Sequence, residues 1–388
     1  MSDTLRLIPA DDPEWAVWID ETPHDLFHTA AHHQVWQEAG AGDGWLAVYG
    51  SPGRFVAWPY LLRTIDTAPA PHECWYDITA VDGYAGPLCC GALPGDPFVA
   101  AAMERIVQHW RCSRVVSVFA RFHPLLINQS LIDSMAPGPT GENPYRAGLR
   151  HEGHTVSMDL RLSDQEAQRA YRGSHLRQIR RALRMGLTTE VDQSPTALRE
   201  FVRLYHQTMR RNGANSHYFF SEHFLRRLQQ TAAPNVSLHV ARLHDRVAAS
   251  VFITEYDGIV HYLLGGVADD MYQLSPLKPL LDRVREWARE RGNHTLHLGG
   301  GRSCDDDDPL FYFKSGFSKR RHSYYTGRWI LDPVGYDWLT QAHFTGQQER
   351  RESTDHFPAY RTPFEDRTAA PVHPEQSGRC QPMRCGTE

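Results

Sequence analysis

Residues able to do chemistry are concentrated in Leu298–Phe317, LGGGRSCDDDDPLFYFKSGF. Lys314 is one of three lysines among 41 basic residues, the others being Lys278 and Lys319. It stands between Tyr312-Phe313 and Ser315-Gly316-Phe317, a cation among aromatics at a glycine turn. Such a setting suits a phosphate or a polarised carbonyl better than a plain solvated surface. Gly299–Gly301 follow an apolar run, Thr295–Leu298, and bring backbone N–H groups within reach of a ligand or simply make a tight turn. Asp308-Pro309 reads as an N-cap followed by proline at the first helical position, opening a helical turn over Leu310–Lys314. The run Asp305–Asp308 does not read as a metal site, because adjacent positions do not all face one point and the cap uses one of them. No metal is expected.

No acid occurs from Phe311 through Ile330, where Lys319, Arg320, Arg321 and Arg328 alternate with Tyr324, Tyr325 and Trp329. This pattern fits a phosphorylated or nucleic-acid substrate as well as an ordinary basic strand. A second positive region spans Arg161–Arg211, with eleven arginines against five acids, including Arg177, Arg180 and Arg181. A solvated helix face explains it equally, and two positive regions lining one cleft would steer a polyanion. GxSxG, GxxxxGK[ST] and GxGxxG are absent, which speaks against a serine hydrolase elbow and against ordinary P-loop or dinucleotide sites. Cys112 and Cys304 have no patterned histidine partner.

The elements that position these residues repeat. Leu46–Leu61 and Leu238–Ile253 each hold two apolar runs around a polar turn, and both predict β-hairpins, 192 residues apart. A second unit follows in each half. Tyr84-Ala85-Gly86-Pro87-Leu88 precedes a helix near Asp96–Arg111 and a strand Val115–Phe119. Strand Val260–Leu264 runs into Gly265-Gly266, then a helix over about Ser275–Arg291 and a strand Thr295–Leu298. Gly86 to Val115 and Gly266 to Thr295 are both 29 residues. Hairpin, strand, helix and strand in the same order twice predict two related mixed α/β domains.

Leu277, Leu280, Leu281, Val284, Trp287 and Ala288 form one helical stripe, with Arg283, Arg285, Glu286, Arg289 and Glu290 on the remaining surface. Met103, Ile106, Val107 and Trp110 make the matching stripe in the first half. Between the halves, Pro137–Pro144 reads as a linker. Thr155–Leu160 reads as a strand, and Asp164–Gly186 as a helix burying Leu176, Ile179 and Leu183. A further helix over Pro195–Arg211 turns Leu198, Phe201, Val202, Tyr205 and Met209 inward. The expected domains are 1–150 and 151–340, with 341–388 a flexible, polar C-terminal tail.

Length and charge agree with this division. The 388 residues exceed one average domain, 41% hydrophobic residues build real cores, and a net charge of −5 excludes a general nucleic-acid coat. Seven scattered cysteines fit a reducing compartment, and neither a membrane span nor an export signal is evident. A cytoplasmic protein is expected.

The same motifs carry a family resemblance. The basic helix His175–Gly186 (HLRQIRRALRMG), Tyr262-Leu263-Leu264-Gly265-Gly266, Gly299–Gly301 and Phe313-Lys314-Ser315-Gly316-Phe317 resemble the Fem-type aminoacyltransferases. Those enzymes contain two GNAT-like (acetyltransferase-like) domains in tandem. The resemblance covers about residues 40–335 and implies transfer of an amino acid from aminoacyl-tRNA to an amine on a small molecule or peptidoglycan precursor. No other cofactor is implied. It places Lys314 at the ester carbonyl beside Phe313, with Tyr262, Gly265, Gly266, Arg177, Arg180, Arg181, Lys319 and Arg320 on the substrate. Arg211 and Tyr218 resemble acceptor-binding positions, and Asp82 and Tyr84 a first-domain loop facing the cleft. Asp305, Asp82 or a substrate phosphate are the candidate bases. The family's long helical arm is missing, since only Asp164–Arg211 is available for it. The alternative is an acyl-CoA-dependent N-acyltransferase of the same superfamily, although Gly265–Tyr272, GGVADDMY, lacks the basic, glycine-spaced pyrophosphate loop expected of one.

Overall fold

The computed structural model describes residues 3–66, 74–133 and 148–363. The chain forms two units, one made of residues 1–151 and 325–388, the other of 152–324. The linker expected over Pro137–Pro144 lies outside the described residues.

The first unit begins with β1 (Thr4–Pro9), α1 (Glu14–Ile19) and α2 (Ala30–Glu38). The expected hairpin follows as β2 (Asp43–Ser51) and β3 (Arg54–Ile65), whose ladder closes at Ser51↔Arg54. Its two-residue turn needs Gly53 at φ +78°. Next come β4 (Trp75–Thr79), β5 (Leu88–Cys90), α3 (Pro97–Cys112), β6 (Val115–Arg121) and α4 (Ser130–Asp133). The sheet order is β1-β2-β3-β4-β6, antiparallel except for the parallel β4/β6 pair. Asp96 caps α3 by accepting from the Phe98 N–H (2.8 Å), with Pro97 at the first position. The α3 stripe of Met103, Ile106, Val107 and Trp110 packs on Trp58, Tyr60 and Val118. Each such large apolar side chain contributes about 1.5–3 kcal/mol when fully buried.

The second unit takes most of β7 (Leu149–Asp159), then α5 (Asp164–Arg169), α6 (Gly173–Arg184), β8 (Leu187–Val191), α7 (Pro195–Arg211) and α8 (Glu222–Thr231). The second hairpin, β9 (Val236–Leu243) and β10 (Arg246–Tyr256), leads to β11 (Ile259–Val267), α9 (Leu277–Glu290), β12 (Thr295–Gly299) and α10 (Pro309–Lys314). Sheet order is β7-β12-β11-β10-β9-β8, with β11/β12 parallel. The duplicated order of hairpin, strand, helix and strand is therefore present in both units. In the first, the strand equivalent to β11 is β4, upstream of the Tyr84–Leu88 segment that the sequence comparison aligned.

β13 (Arg320–Ile330) carries the chain back into the first unit at Tyr325, so the second unit ends before the expected boundary at residue 340. Thr326–Ile330 pair with β6, which ties this return to the first sheet. Residues beyond 340 were expected as a loose tail, yet through Pro363 they are structured. After α11 (Pro333–His343) and α12 (Gln348–Ser353), Tyr360 is buried, with its hydroxyl 2.8 Å from Ser117 Oγ. The Arg361 guanidinium donates to the buried Asp77 carboxylate (2.6 Å), which also accepts from Arg63 (2.5 Å).

The helix expected over Asp164–Gly186 is two helices, and the cause is a contact rather than a propensity. Arg172 is extended (ψ 135°), and its N–H leaves the helical ladder to donate to the Gly316 carbonyl (2.8 Å). On α6, His175, Ile179 and Ala182 are buried, while Leu183, expected inside, is 51% exposed. On α9 Leu280, Leu281, Val284 and Ala288 of the apolar stripe are buried, and Arg285 is buried with them. Its guanidinium donates to Asp164 (2.7 Å), Asp282 and the Tyr171 hydroxyl (both 3.1 Å), which compensates its desolvation.

Candidate active site

Lys314 ends α10, a short helix capped by Asp308, whose Oδ1 accepts from the Leu310 and Phe311 N–H groups (both 2.9 Å). Helical spacing turns Phe311 and Lys314 inward together. The Lys314 ammonium donates to the Gly300 carbonyl (2.8 Å) and lies 5.7 Å from the centre of the Tyr262 ring. Burial lowers its pKa to about 8, partly offset by the negative charge of Asp308. Burial alone would raise the Asp308 carboxyl. The N–H groups of Phe311, Arg302 and Leu310, together with the Arg302 charge, hold it below the usual range instead.

The glycine turn shapes this pocket at one position by conformation and at another by space. Gly299 takes φ +77°, closed to most L side chains. At Gly301 a Cβ would lie 2.7 Å from Asp308 Oδ1. Asp305, one of the candidate bases, is exposed, and its carboxylate accepts from Ser303 Oγ (3.2 Å). The acid electrostatically coupled to Lys314 is Asp308, because the α10 cap draws it inward while Asp305 remains on the outer loop.

The Phe313–Phe317 motif is clasped by the basic helix. His175 Nε2 donates to the Phe313 carbonyl (2.9 Å), and its ring lies 4.9 Å from that of Phe317. A Cβ on Gly316 would lie 2.3 Å from the His175 ring, so only glycine admits the imidazole here. Burial, reinforced by Lys278, lowers the His175 pKa to about 4 and keeps the ring neutral. Arg172 stacks 3.6 Å from the Tyr312 ring centre and donates to the Tyr312 carbonyl (3.0 Å) and Ser315 Oγ (3.2 Å).

Beside the motif lies a cavity of about 340 Å³, within the range of small-ligand sites. Tyr262 and Gly265 from β11, Phe313 from α10, Thr208 and Arg211 from α7, and Gln178 from α6 line it. Tyr262 thus faces the cavity while its ring adjoins the Lys314 ammonium, and burial pushes its phenol pKa up. Arg211 pairs with Asp269 and lies 4.6 Å from the Tyr272 ring centre.

Several expected substrate contacts fall elsewhere. Gly266 is buried against α7, where a Cβ would lie 2.5 Å from the Tyr205 backbone nitrogen; it allows helix packing and does not line the cavity. Tyr218 is 40% exposed and offers its carbonyl, not its ring, to the Tyr205 hydroxyl (2.5 Å). Arg177, Arg180 and Arg181 project from α6 into solvent, Arg320 pairs with Asp159 (3.1 Å), and Lys319 is exposed. Asp82 and Tyr84 belong to the first unit, where Asp82 pairs with Arg121 and the Tyr84 ring is 5.9 Å from Phe27.

Sequence reading missed Lys278, Gln178 and Arg302 on the cavity wall, and Arg172 and His175 behind the motif. Only the rarity of lysine in this chain signalled Lys278.

Residues 169–314 match the family model of the acetyltransferase (GNAT) domain. The match begins before the clasping helix and ends on Lys314. The crystal structure of FemX superimposes with a TM-score of 0.62 at 13% identity, covering 87% of this chain and 99% of that one. The chain has the Fem-type tandem GNAT fold. The structure of L-PGS from Bacillus licheniformis is also similar (TM-score 0.51, 14% identity, 83% of this chain and 92% of that one). In sequence, the chain is 26% identical over 165 residues to UDP-N-acetylmuramoylpentapeptide-lysine N(6)-alanyltransferase of Weissella viridescens. That alignment spans 42% of this chain and 48%, about half, of the alanyltransferase. Among the described residues no helix is long and apolar enough to cross a membrane.

Proposed function

We propose that the second unit catalyses amide formation, moving an amino acid from the 3′ end of aminoacyl-tRNA to the amine of a small molecule or peptidoglycan precursor in the cytoplasm. The observation that carries this reading is the buried Lys314 ammonium, anchored by one hydrogen bond to Gly300 and adjoining Tyr262 on the cavity wall. An aminoacyl ester is already activated. A neutral amine adds to its carbonyl, the C–N bond forms, and negative charge collects on the carbonyl oxygen. Collapse re-forms the carbonyl, breaks the C–O bond to the ribose and leaves an amide.

An ammonium in a poorly hydrated site stabilises the oxyanion without reorganisation. The attacking nitrogen, cationic once bonded, sheds one proton, and the departing ribose oxygen takes one up; a pKa near 8 equips Lys314 to give that proton and to be recharged by the one the nitrogen releases. Binding the two substrates in register supplies the rest of the rate. Arg211, Tyr262, Gly265 and Phe313 support this reading as cavity-wall contacts. Arg177, Arg180 and Arg181, exposed and without ion pairs among the described residues, suit a phosphodiester backbone. The likeness to the alanyltransferase favours an amino acid as the acyl group.

The decisive experiment incubates the protein with mixed charged tRNA and candidate amines, with and without ribonuclease. Amide product abolished by ribonuclease is expected. Product that survives ribonuclease and requires acyl-CoA overturns tRNA dependence and establishes the second reading, an acyl-CoA N-acyltransferase, which the match to the acetyltransferase domain model favours.

A further inference from the structure

A row of polar side chains crosses one face of four neighbouring strands, β13-β7-β12-β11, within the second unit. His261 on β11 and His297 on β12 meet Nδ1 to Nδ1 at 3.0 Å, and His297 Nε2 lies 2.8 Å from Thr155 Oγ1 on β7. Two residues along β7, Ser157 Oγ lies 2.7 Å from His322 Nε2 on β13. Thr155, Ser157, His261 and His297 are buried, while the alternate positions Val156, Val260, Leu296 and Leu298 are apolar. Buried polar groups cost stability unless their hydrogen bonds are met, and a met network fixes one arrangement. A neutral His297 meets both of its bonds whichever way the protons run, accepting at one ring nitrogen and donating at the other.

This row backs onto the glycine turn. β12 pairs with β7 from Thr295↔Asp159 to His297↔Ser157; the ladder then skips Leu298 and resumes at Gly299↔Val156. A bulge re-aims the strand that carries it. The bond from His297 to Thr155 spans the bulge, and Thr155 Cγ2 lies 3.7 Å from where a Cβ on Gly300 would stand. The Gly300 carbonyl in turn accepts the Lys314 ammonium's one hydrogen bond among the described residues (2.8 Å). We infer that His297 is a positioning residue for Lys314: through Thr155 it fixes the glycine turn, so that the Gly300 carbonyl holds the ammonium beside Tyr262. What Lys314 then does rests on the acyl-transfer reading above; how it is held does not.

The scarcity of lysine makes the ammonium directly observable. Protein labelled with carbon-13 at lysine Cε gives three NMR signals, from Lys278, Lys314 and Lys319, and Lys314→Ala identifies the signal to follow. The titration midpoint of that signal and the turnover are measured for wild type, Thr155→Val, Thr155→Ser and Ser157→Ala, each where circular dichroism shows it folded. Tyr262 and Asp308, the titratable groups facing the ammonium, remain in every variant. Thr155→Val keeps the shape of the side chain and removes its hydroxyl. A displaced carbonyl deprives the charged amine of its acceptor, so the midpoint should fall from about 8 by about half a pH unit. Turnover should drop about tenfold with KM nearly unchanged, because the ammonium is misplaced while substrate contacts are kept. Thr155→Ser, which retains the hydroxyl, and Ser157→Ala, which loses only the His322 bond, should match wild type. His297→Phe, which keeps a ring without nitrogens, replaces Thr155→Val if that variant does not fold. An unmoved Lys314 midpoint overturns the inference whatever turnover does, and so does an equal shift in Thr155→Ser or Ser157→Ala. A shifted midpoint with unchanged turnover sustains it and removes Lys314 from the proposed function instead.

Discussion

In each unit a parallel pair of strands holds for three ladder positions, and what occupies the space beyond differs between them. β4 pairs with β6 from Tyr76↔Val115 to Ile78↔Val118, and β11 with β12 from Ile259↔Thr295 to His261↔His297. In the second unit the chain past this point contributes Tyr262 and Gly265 to an open cavity. In the first, the Phe27 ring packs on Gly83, where a Cβ would lie 2.2 Å from a ring carbon. Asn128 accepts from the His123 N–H and donates to the Ala85 carbonyl (both 2.8 Å), and His123 Nε2 donates to Asp25 (2.7 Å), all buried. One topology thus encloses an open cavity or packed core, according to whether side chains fill the gap. Function does not follow from the fold alone.

The largest expected effect tests the packed side of that contrast. Phe27→Ala removes a fully buried ring and should cost about 3–5 kcal/mol of stability. Turnover per folded molecule should stay within twofold of wild type. Denaturant unfolding together with activity at low temperature checks both, and a large fall in turnover would mean that the first unit's core takes part in the chemistry.

Lys314→Ala should do the opposite. Losing the ammonium raises the barrier by about 3 kcal/mol, roughly a hundredfold in turnover. Stability should change little, because the lost packing is set against relief from burying a charge. Circular dichroism and single-turnover rates read the two effects separately, and unchanged turnover would remove Lys314 from the mechanism.

The two halves of this molecule were unequally legible in the sequence. Helix stripes on α3, α7 and α9 were readable because a 3.6-residue period survives any tertiary context. The break at Arg172 was not, since its cause is the Gly316 carbonyl, 144 residues away in the chain. Arg285 sat among surface charges in the helical pattern and was read as exposed; its partners Tyr171 and Asp164 come from other segments. Of the four consecutive aspartates, Asp308 was legible as the α10 cap because Pro309 follows it, but its electrostatic coupling to Lys314 was not, since that depends on the fold around Gly301. Lys314 itself was legible because a lysine is rare here and its flanking motif is specific.

The pH response should separate the units again, from opposite ends of the scale. His28, His32 and His33 are buried, and burial lowers their pKa values to about 3, about 4 and about 3. The unfolded chain takes up protons below about 6.5 where the folded one does not, so the first unit loses stability as pH falls from there toward 3. Lys314 acts on the alkaline side. Its folded pKa of about 8 lies below the unfolded 10.5, so stability rises between those values as the cost of a buried charge disappears. Turnover should fall over the same window, by about tenfold per pH unit above 8 once the ammonium is lost. A rate that climbs from pH 8 to 10 would instead make the neutral amine of Lys314 a base.

The smallest effects come from a pair of adjacent glycines. At Gly266 an added methyl meets the backbone of Leu204 and Tyr205 at 2.5–2.6 Å, and α7 has to move as a unit to admit it. Gly266→Ala should cost about 1–3 kcal/mol of stability. At Gly265 the obstacle is the Tyr262 hydroxyl, the far end of one side chain, which can swing aside at the expense of the cavity. Gly265→Ala should leave the melting temperature nearly unchanged while raising KM several-fold. Equal stability losses at both positions would mean that the Tyr262 ring is as immobile as a helix backbone, and that the second unit's slot is a rigid mould rather than a wall able to adjust to its substrate.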